Sequence, residues 1–222
     1  MYSERASALP HVVAWWRVTP PGSAAYRILP DGCMDIIWQD GRVFVAGPDT
    51  TAQVGVPRPG SRLYALRFGA GTGPGVLGVP ASELVDRQVP LDDLWPAAVV
   101  RRLSSASAPL AALTDLARRR WVGPDPSMVA LAASARAGRP VSLIADRCGL
   151  SPRQLQRRSN EAFGYGPKTL ARILRMQRAV SLARRGSPFA SVSAEAGYAD
   201  QAHLAREVRA MAGVPLGVLL SP

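Results

Sequence analysis

The 222-residue sequence predicts an α+β fold, with a strand-rich N-terminal part followed by an all-α C-terminal part. Three observations carry that prediction. The opening stretch, to about residue 68, holds strand-like runs between Pro- and Gly-rich turns. An Ala- and Leu-rich helical pattern follows a cluster of glycines, and the last third contains an internal near-repeat. With 47% hydrophobic residues the chain can bury a core, and its length admits two small domains.

The elements follow in chain order. Residues 12–18 and 63–68 read as strands, and between them 34–39 and 42–46 flank Asp40-Gly41. That dipeptide supplies the positive φ angles of a type I′ hairpin turn. Beyond residue 68 the run Gly69-Ala70-Gly71-Thr72-Gly73-Pro74-Gly75 ends the strand pattern, and helical patterning continues to Arg120. Trp121-Val122-Gly123-Pro124-Asp125-Pro126 interrupts it, because proline lacks an amide donor and restricts the residue before it. The break separates an expected sensory or dimerising domain, 1–124, from a domain 125–222, whose first helix is expected over about 125–137.

Charge divides the chain in the same way. The formal net charge is +11, yet from Pro126 onward fourteen basic residues face five acidic ones, leaving only +2 for residues 1–125. A GC-rich genome would explain the preference for Arg over Lys but not this asymmetry. A basic half joined to a near-neutral one points to a polyanion-binding module. Two cysteines, Cys33 and Cys148, cannot build a disulfide framework or a zinc knuckle. Neither a secretory signal nor a membrane-length apolar run is evident, so a cytoplasmic protein without a membrane partner is expected.

The near-repeat carries the chemistry. Ile144-Ala145-x-x-x-Gly149-Leu150 matches Val192-Ser193-x-x-x-Gly197-Tyr198, and Leu155 and Arg157 match Leu204 and Arg206 one residue further on. Ile144 and Ala145, like Val192 and Ser193, suit the inner face of a short helix crossed closely by a second. Gly149 and Gly197 stand where that helix must stop in left-handed geometry. Ser151 and Asp200 can cap the second helix, and Pro152 fits its first position. Two helix-turn-helix units result. On the second helices Arg153, Gln156 and Arg157, then Gln201, His203 and Arg206, occupy outward N-terminal turns. Arg reads guanine and Gln reads adenine through bidentate hydrogen bonds in the major groove. A solvated polar face is the ordinary reading of one such helix; two matched copies in the basic half favour DNA. Between the copies, about 19 residues of helical pattern would span roughly 28 Å, near one turn of duplex.

Residues 139–220 resemble the AraC/XylS-type DNA-binding domain, in which two helix-turn-helix units are bridged by a long helix. The resemblance implies that Arg153, Gln156, Arg157, Gln201 and Arg206 contact bases. Three positions depart from the pattern: Ser159 replaces a usual aromatic, Ser193 a usual alanine and Leu216 a usual proline. Residues from about 25 to 95 resemble an uncharacterised domain that often precedes this unit. The segments carrying that likeness are Pro30-Asp31-Gly32-Cys33-Met34-Asp35-Ile36-Ile37-Trp38, Ala46-Gly47-Pro48-Asp49-Thr50, Leu66-Arg67-Phe68 and Leu77-Gly78-Val79-Pro80-Ala81-Ser82-Glu83-Leu84. The wider family implies a cupin-like or partial barrel that senses a small molecule or dimerises.

Other signals are weaker. Gly69-Ala70-Gly71 lacks the third glycine and the βαβ setting of a dinucleotide loop, and Lys168 lies outside any P-loop pattern. Two histidines, His11 and His203, do not make a metal centre, and no cofactor or enzymatic activity is expected. Trp15, Trp16, Trp38, Tyr64 and Phe68 are aromatics on expected strands, with core packing as the default. Asp35, Trp38 and Arg67 are the candidate ligand-binding residues, Arg67 because it shares a strand face with Leu63 and Ala65. The leading function is a sequence-specific transcription regulator, with double-stranded DNA, RNA polymerase, a small-molecule effector and a second copy as candidate partners. A sequence-indifferent architectural DNA-binder is the alternative.

Overall fold

The structure, a computed structural model, describes residues 2–140, 146 and 148–220. Eight strands come first: β1 (Tyr2–Ala6), β2 (Val12–Val18), β3 (Tyr26–Ile28), β4 (Met34–Gln39), β5 (Arg42–Ala46), β6 (Gln53–Gly55), β7 (Arg62–Phe68) and β8 (Gln88–Pro90). Six of them form an antiparallel sheet in the order β1-β2-β7-β4-β5-β8, and β3 and β6 pair as a separate ribbon. At the β4–β5 turn Asp40 and Gly41 have φ of 47° and 89°, the two positive values a type I′ turn requires.

Alternation along the strands gives the sheet two faces. Val12, Ala14, Met34, Ile36, Trp38, Val45, Leu66 and Phe68 point to a buried core. That core is closed by α1 (Pro74–Leu77), α2 (Ala97–Ser104) and α3 (Pro109–Arg120) through Leu77, Leu103 and Leu113. Trp95 belongs to the same core, its indole donating to the Leu77 carbonyl. The opposite face carries Trp15, Ile37, Leu63, Ala65 and Arg67, and with the β3–β6 ribbon it forms a partial barrel around a cleft. The stretch from the glycine cluster to Arg120, expected to be helical, also contains strand β8, which pairs with β5 from Phe44↔Pro90 to Ala46↔Gln88.

Among the described residues, the C-terminal part has helices and no strand. α4 (Pro126–Arg136) opens at Asp125, whose carboxylate accepts from the Ser127 amide at 2.9 Å. Then come α5 (Pro152–Phe163), α6 (Pro167–Arg184), α7 (Phe189–Ala196), α8 (Gln201–Ala212) and α9 (Leu216–Leu220). The inner positions Ile144 and Ala145, read as the first helix of the first unit, lie outside the described residues. The second helix of that unit begins as expected. Ser151 caps it, and Ser151 and Gln154 exchange hydrogen bonds between side chain and backbone. In the second unit Asp200 caps α8, accepting from the His203 amide at 2.6 Å. Gly197 ends α7 at φ 84° with open space around it, so conformation and not room demands glycine there.

The three departures from the family pattern are absorbed locally. Ser159 is fully buried with its hydroxyl against Met128 Sδ at 4.0 Å, and Ser193 donates back to the Ala190 carbonyl at 2.8 Å. Leu216 joins the helical core. The two parts also touch. Ala70 and Leu29 pack into the helical core, and a Cβ on Gly71 would lie 2.8 Å from the Phe163 ring. The Ala52 amide donates to the Met211 carbonyl at 2.7 Å, and Arg27 donates to the Ala212 carbonyl at 3.3 Å.

Candidate nucleic-acid interface and a cleft beside the linker helix

α5 and α8 are the second helices of the two units, and α6 joins them. Its 18 residues give a rod of about 27 Å. On α5, Arg153, Gln156 and Arg157 are exposed, while Leu155, Ser159, Ala162 and Phe163 face inward. Gln156 donates to Asn160 at 3.1 Å and lies against Gly166, where a Cβ would come within 2.5 Å of its amide. Arg157 pairs with Glu161 at 2.8 Å, with side chains 64% and 49% exposed. Such a pair contributes well under about 1 kcal/mol, so the guanidinium can leave it for a base edge at little cost.

On α8, Gln201 and Arg206 are exposed. His203 differs from its expected outward placement. It is half-buried, its ring stands edge-on to Tyr198 with centroids 5.2 Å apart, and Nδ1 accepts from the Ala199 amide at 3.4 Å. The cause is the tight turn at residues 197–200, which folds Tyr198 back under the helix. His203 therefore braces the corner.

A cluster not foreseen from the sequence seats α8 on the linker. Glu207 accepts from Arg172 Nε and Nη2 and, at 3.2 Å, from Arg175 Nη2. Arg175 also lies 4.7 Å over the Tyr198 ring. Burial works against ionisation of Glu207, but the hydrogen bonds and charge of the two arginines prevail and hold its carboxyl below the usual range. The spacing of Arg172 and Arg175 along one helix face was the available signal.

The second candidate site is a cleft of about 640 Å³ between the inner sheet face, the β3–β6 ribbon and α6. Trp15, Ile37, Phe44 and Leu63 supply apolar wall, and Gln177 and Arg184 reach in from α6. Asp35 and Arg67 line it, as expected. Asp35 accepts from the Trp15 indole at 2.7 Å and from Arg67 Nε at 3.3 Å. Asp31 adds a second carboxylate 3.7 Å from Arg67 Nη1. Burial lowers the affinity of Arg67 for its proton, but Asp35 and Asp31 outweigh it and keep the guanidinium charged. Burial pushes the Asp35 carboxyl up, against the pull of Arg67. Burial likewise pushes Asp49, in the cleft wall, up to about 6.

Trp38 does not line this cleft. It alternates to the other face of β4, is 6% exposed in the core, and donates its indole N–H to the Leu103 carbonyl at 3.1 Å. The strand period of two decides this: Trp38 cannot share a face with Asp35. Cys33 does line the cleft, but burial raises its thiol well above the usual range, leaving it protonated. Among the described residues no group of three or more His, Cys, Asp or Glu is placed to hold a metal ion, and no helix is long and apolar enough to cross a membrane.

Residues 144–221 match a family described as a helix-turn-helix domain, and residues 6–90 match a domain of unknown function, DUF6597. The chain thus joins a segment matching DUF6597 to a segment matching a helix-turn-helix domain. No curated protein matches the chain. It is similar in structure to a probable AraC family transcriptional regulator from Rhodopseudomonas palustris CGA009, at 22% identity over 43% of this chain and 95% of that one, with a TM-score of 0.38. It is also similar to ToxT from Vibrio cholerae, at 9% identity over 99% of this chain and 97% of that one, TM-score 0.48. A third similarity is to Vibrio cholerae O395 ToxT bound to (E)-4-(8-methylnaphthalen-1-yl)but-3-enoic acid, at 10% identity over 92% and 99%, TM-score 0.49.

Proposed function

We propose that the protein reads a specific duplex sequence with α5 and α8, and that residues 1–124 act as a sensory domain controlling residues 125–222. The carrying observation is that two capped helices, each exposing Arg and Gln, flank one basic linker helix, on which α8 is seated through Glu207. Arg153, Gln156, Arg157, Gln201 and Arg206 are the base readers in this reading, and His203 is a brace. The cleft against α6 supports control by a small molecule, because Gln177 and Arg184 of the linker form part of its wall.

Selection of binding sites from randomised duplexes tests this directly. Wild type should enrich a motif, and Arg157→Ala should lose on the order of 1–3 kcal/mol at that motif while flattening preference at one or two base pairs. An unchanged motif would remove Arg157 from the readers. Equal binding to all sequences, with affinity falling steeply as salt rises, would establish an architectural DNA-binder instead.

A further inference from the structure

The loop at residues 29–33 is held from both sides. In the cleft, Asp31 Oδ2 stands 3.7 Å from Arg67 Nη1, while its Oδ1 accepts from the Cys33 amide at 2.8 Å. Against the DNA-binding part, Gln177 donates to the Pro30 carbonyl at 2.6 Å. Gly32, at φ 78°, lies beside the helical part: a Cβ there would meet Leu170 at 3.4 Å and the Tyr165 hydroxyl at 3.6 Å. The loop thus touches the cleft floor and the linker helix at once.

The two carboxylates on Arg67 are held unequally. Asp35 takes hydrogen bonds from Nε and Nη2 of Arg67 and from the Trp15 indole, and its side chain is 12% exposed. Asp31 holds Arg67 by one long contact, its other oxygen accepting from the Cys33 amide, and is 34% exposed. Asp31 is therefore the weaker of the two partners of Arg67. The cleft suits an anion: six arginines line it against four aspartates, beside an apolar wall that includes Trp15 and Phe44.

Tyr165 completes the arrangement. Its hydroxyl is buried without a hydrogen-bond partner, which is a costly state for a donor. Burial, reinforced by the nearby Asp31 charge, keeps the phenol protonated.

Building on the regulator reading above, we propose that the cleft admits a small organic anion with an apolar body, which takes the place of Asp31 on Arg67, and that the released Asp31 carboxylate accepts a hydrogen bond from the Tyr165 hydroxyl. The exchange shifts the 29–33 loop against Gln177 and Leu170, and so resets the linker that carries both reading helices.

The test uses the full chain, its selected duplex, and a panel of aryl-alkanoates with their neutral amides as probes. In the wild type at least one acid, and not its amide, should raise Tm and change DNA affinity at least threefold. Tyr165→Phe removes only an unpaired hydroxyl, so apo stability and DNA affinity should stay at or above wild type. The acid should still raise its Tm, while DNA affinity no longer responds. Asp31→Asn weakens the bond to Arg67 but keeps an acceptor for Tyr165, so it should reproduce the acid's effect on DNA without any probe. A panel in which no acid outperforms its amide overturns the anion site. A Tyr165→Phe protein that responds like wild type, or an Asp31→Asn protein with wild-type DNA affinity, overturns the exchange. If the folded wild type binds no duplex at all, the regulator reading fails instead, and the acid-against-amide difference in Tm still decides the cleft.

Discussion

Asp49 shows how a single residue records its surroundings. It sits in the cleft wall, where burial raises its carboxyl to about 6 although Gln53 donates to it at 3.2 Å. A carboxyl whose folded value exceeds its unfolded one binds its proton more tightly when folded. Its penalty is therefore absent below about pH 4 and grows as pH rises through about 6. Asp49→Asn keeps the acceptor for Gln53 and removes that penalty. Tm at pH 7 should rise by the equivalent of about 1 kcal/mol, discounted for the exposed part of the side chain, and the gain should vanish near pH 4. A gain independent of pH would assign the effect to packing. Arg67 was legible at this scale: a charge beside Leu63 and Ala65 called for a partner, and Asp35 and Asp31 provide it. Which acids would do so was not legible, because Asp31 arrives from a loop and Asp35 from a neighbouring strand.

At the scale of elements, the capping residues and the turn glycines were readable because their roles are local. Ser151, Pro152 and Asp200 act within three residues of themselves. The seat of α8 on α6 was not, since Glu207 meets arginines 35 and 32 positions away. Glu207 is 16% exposed and takes several charge-assisted hydrogen bonds. Glu207→Gln should therefore cost about 2 kcal/mol in urea denaturation at pH 7. Because its folded value is depressed, that contribution is full above the ordinary glutamate value and disappears as pH falls below it. The difference between variant and wild type should shrink in acid; a constant difference would point to lost packing.

At the scale of the molecule, the contacts between the parts are too close to be incidental. Phe163 fills the space over Gly71, Gln177 holds the Pro30 carbonyl, and the Ala52 amide reaches Met211. Linked through buried side chains and backbone hydrogen bonds, the two parts should unfold in one calorimetric transition. Gly71→Val puts a branched side chain against the Phe163 ring and at φ 83°, where L-residues are strained. It should split the transition in two, with the C-terminal part retaining its helical signal. Two separated transitions in the wild type would show that the interface contributes nothing.

The sequence by itself determined what depends on near neighbours and on period: the α+β order, the β4–β5 hairpin with its Asp40-Gly41 turn, the capped second helices of the two repeat copies, and the concentration of basic charge after Pro126. Only the tertiary structure decided that Trp38 belongs to the core while Asp35 opens to the cleft, that His203 braces a corner, and that α6 closes the cleft with Gln177 and Arg184. The reason is sequence distance. Local steric and hydrogen-bonding preferences are written within a few residues, whereas a cleft wall is assembled from segments more than a hundred residues apart, whose meeting follows from burying two apolar faces together.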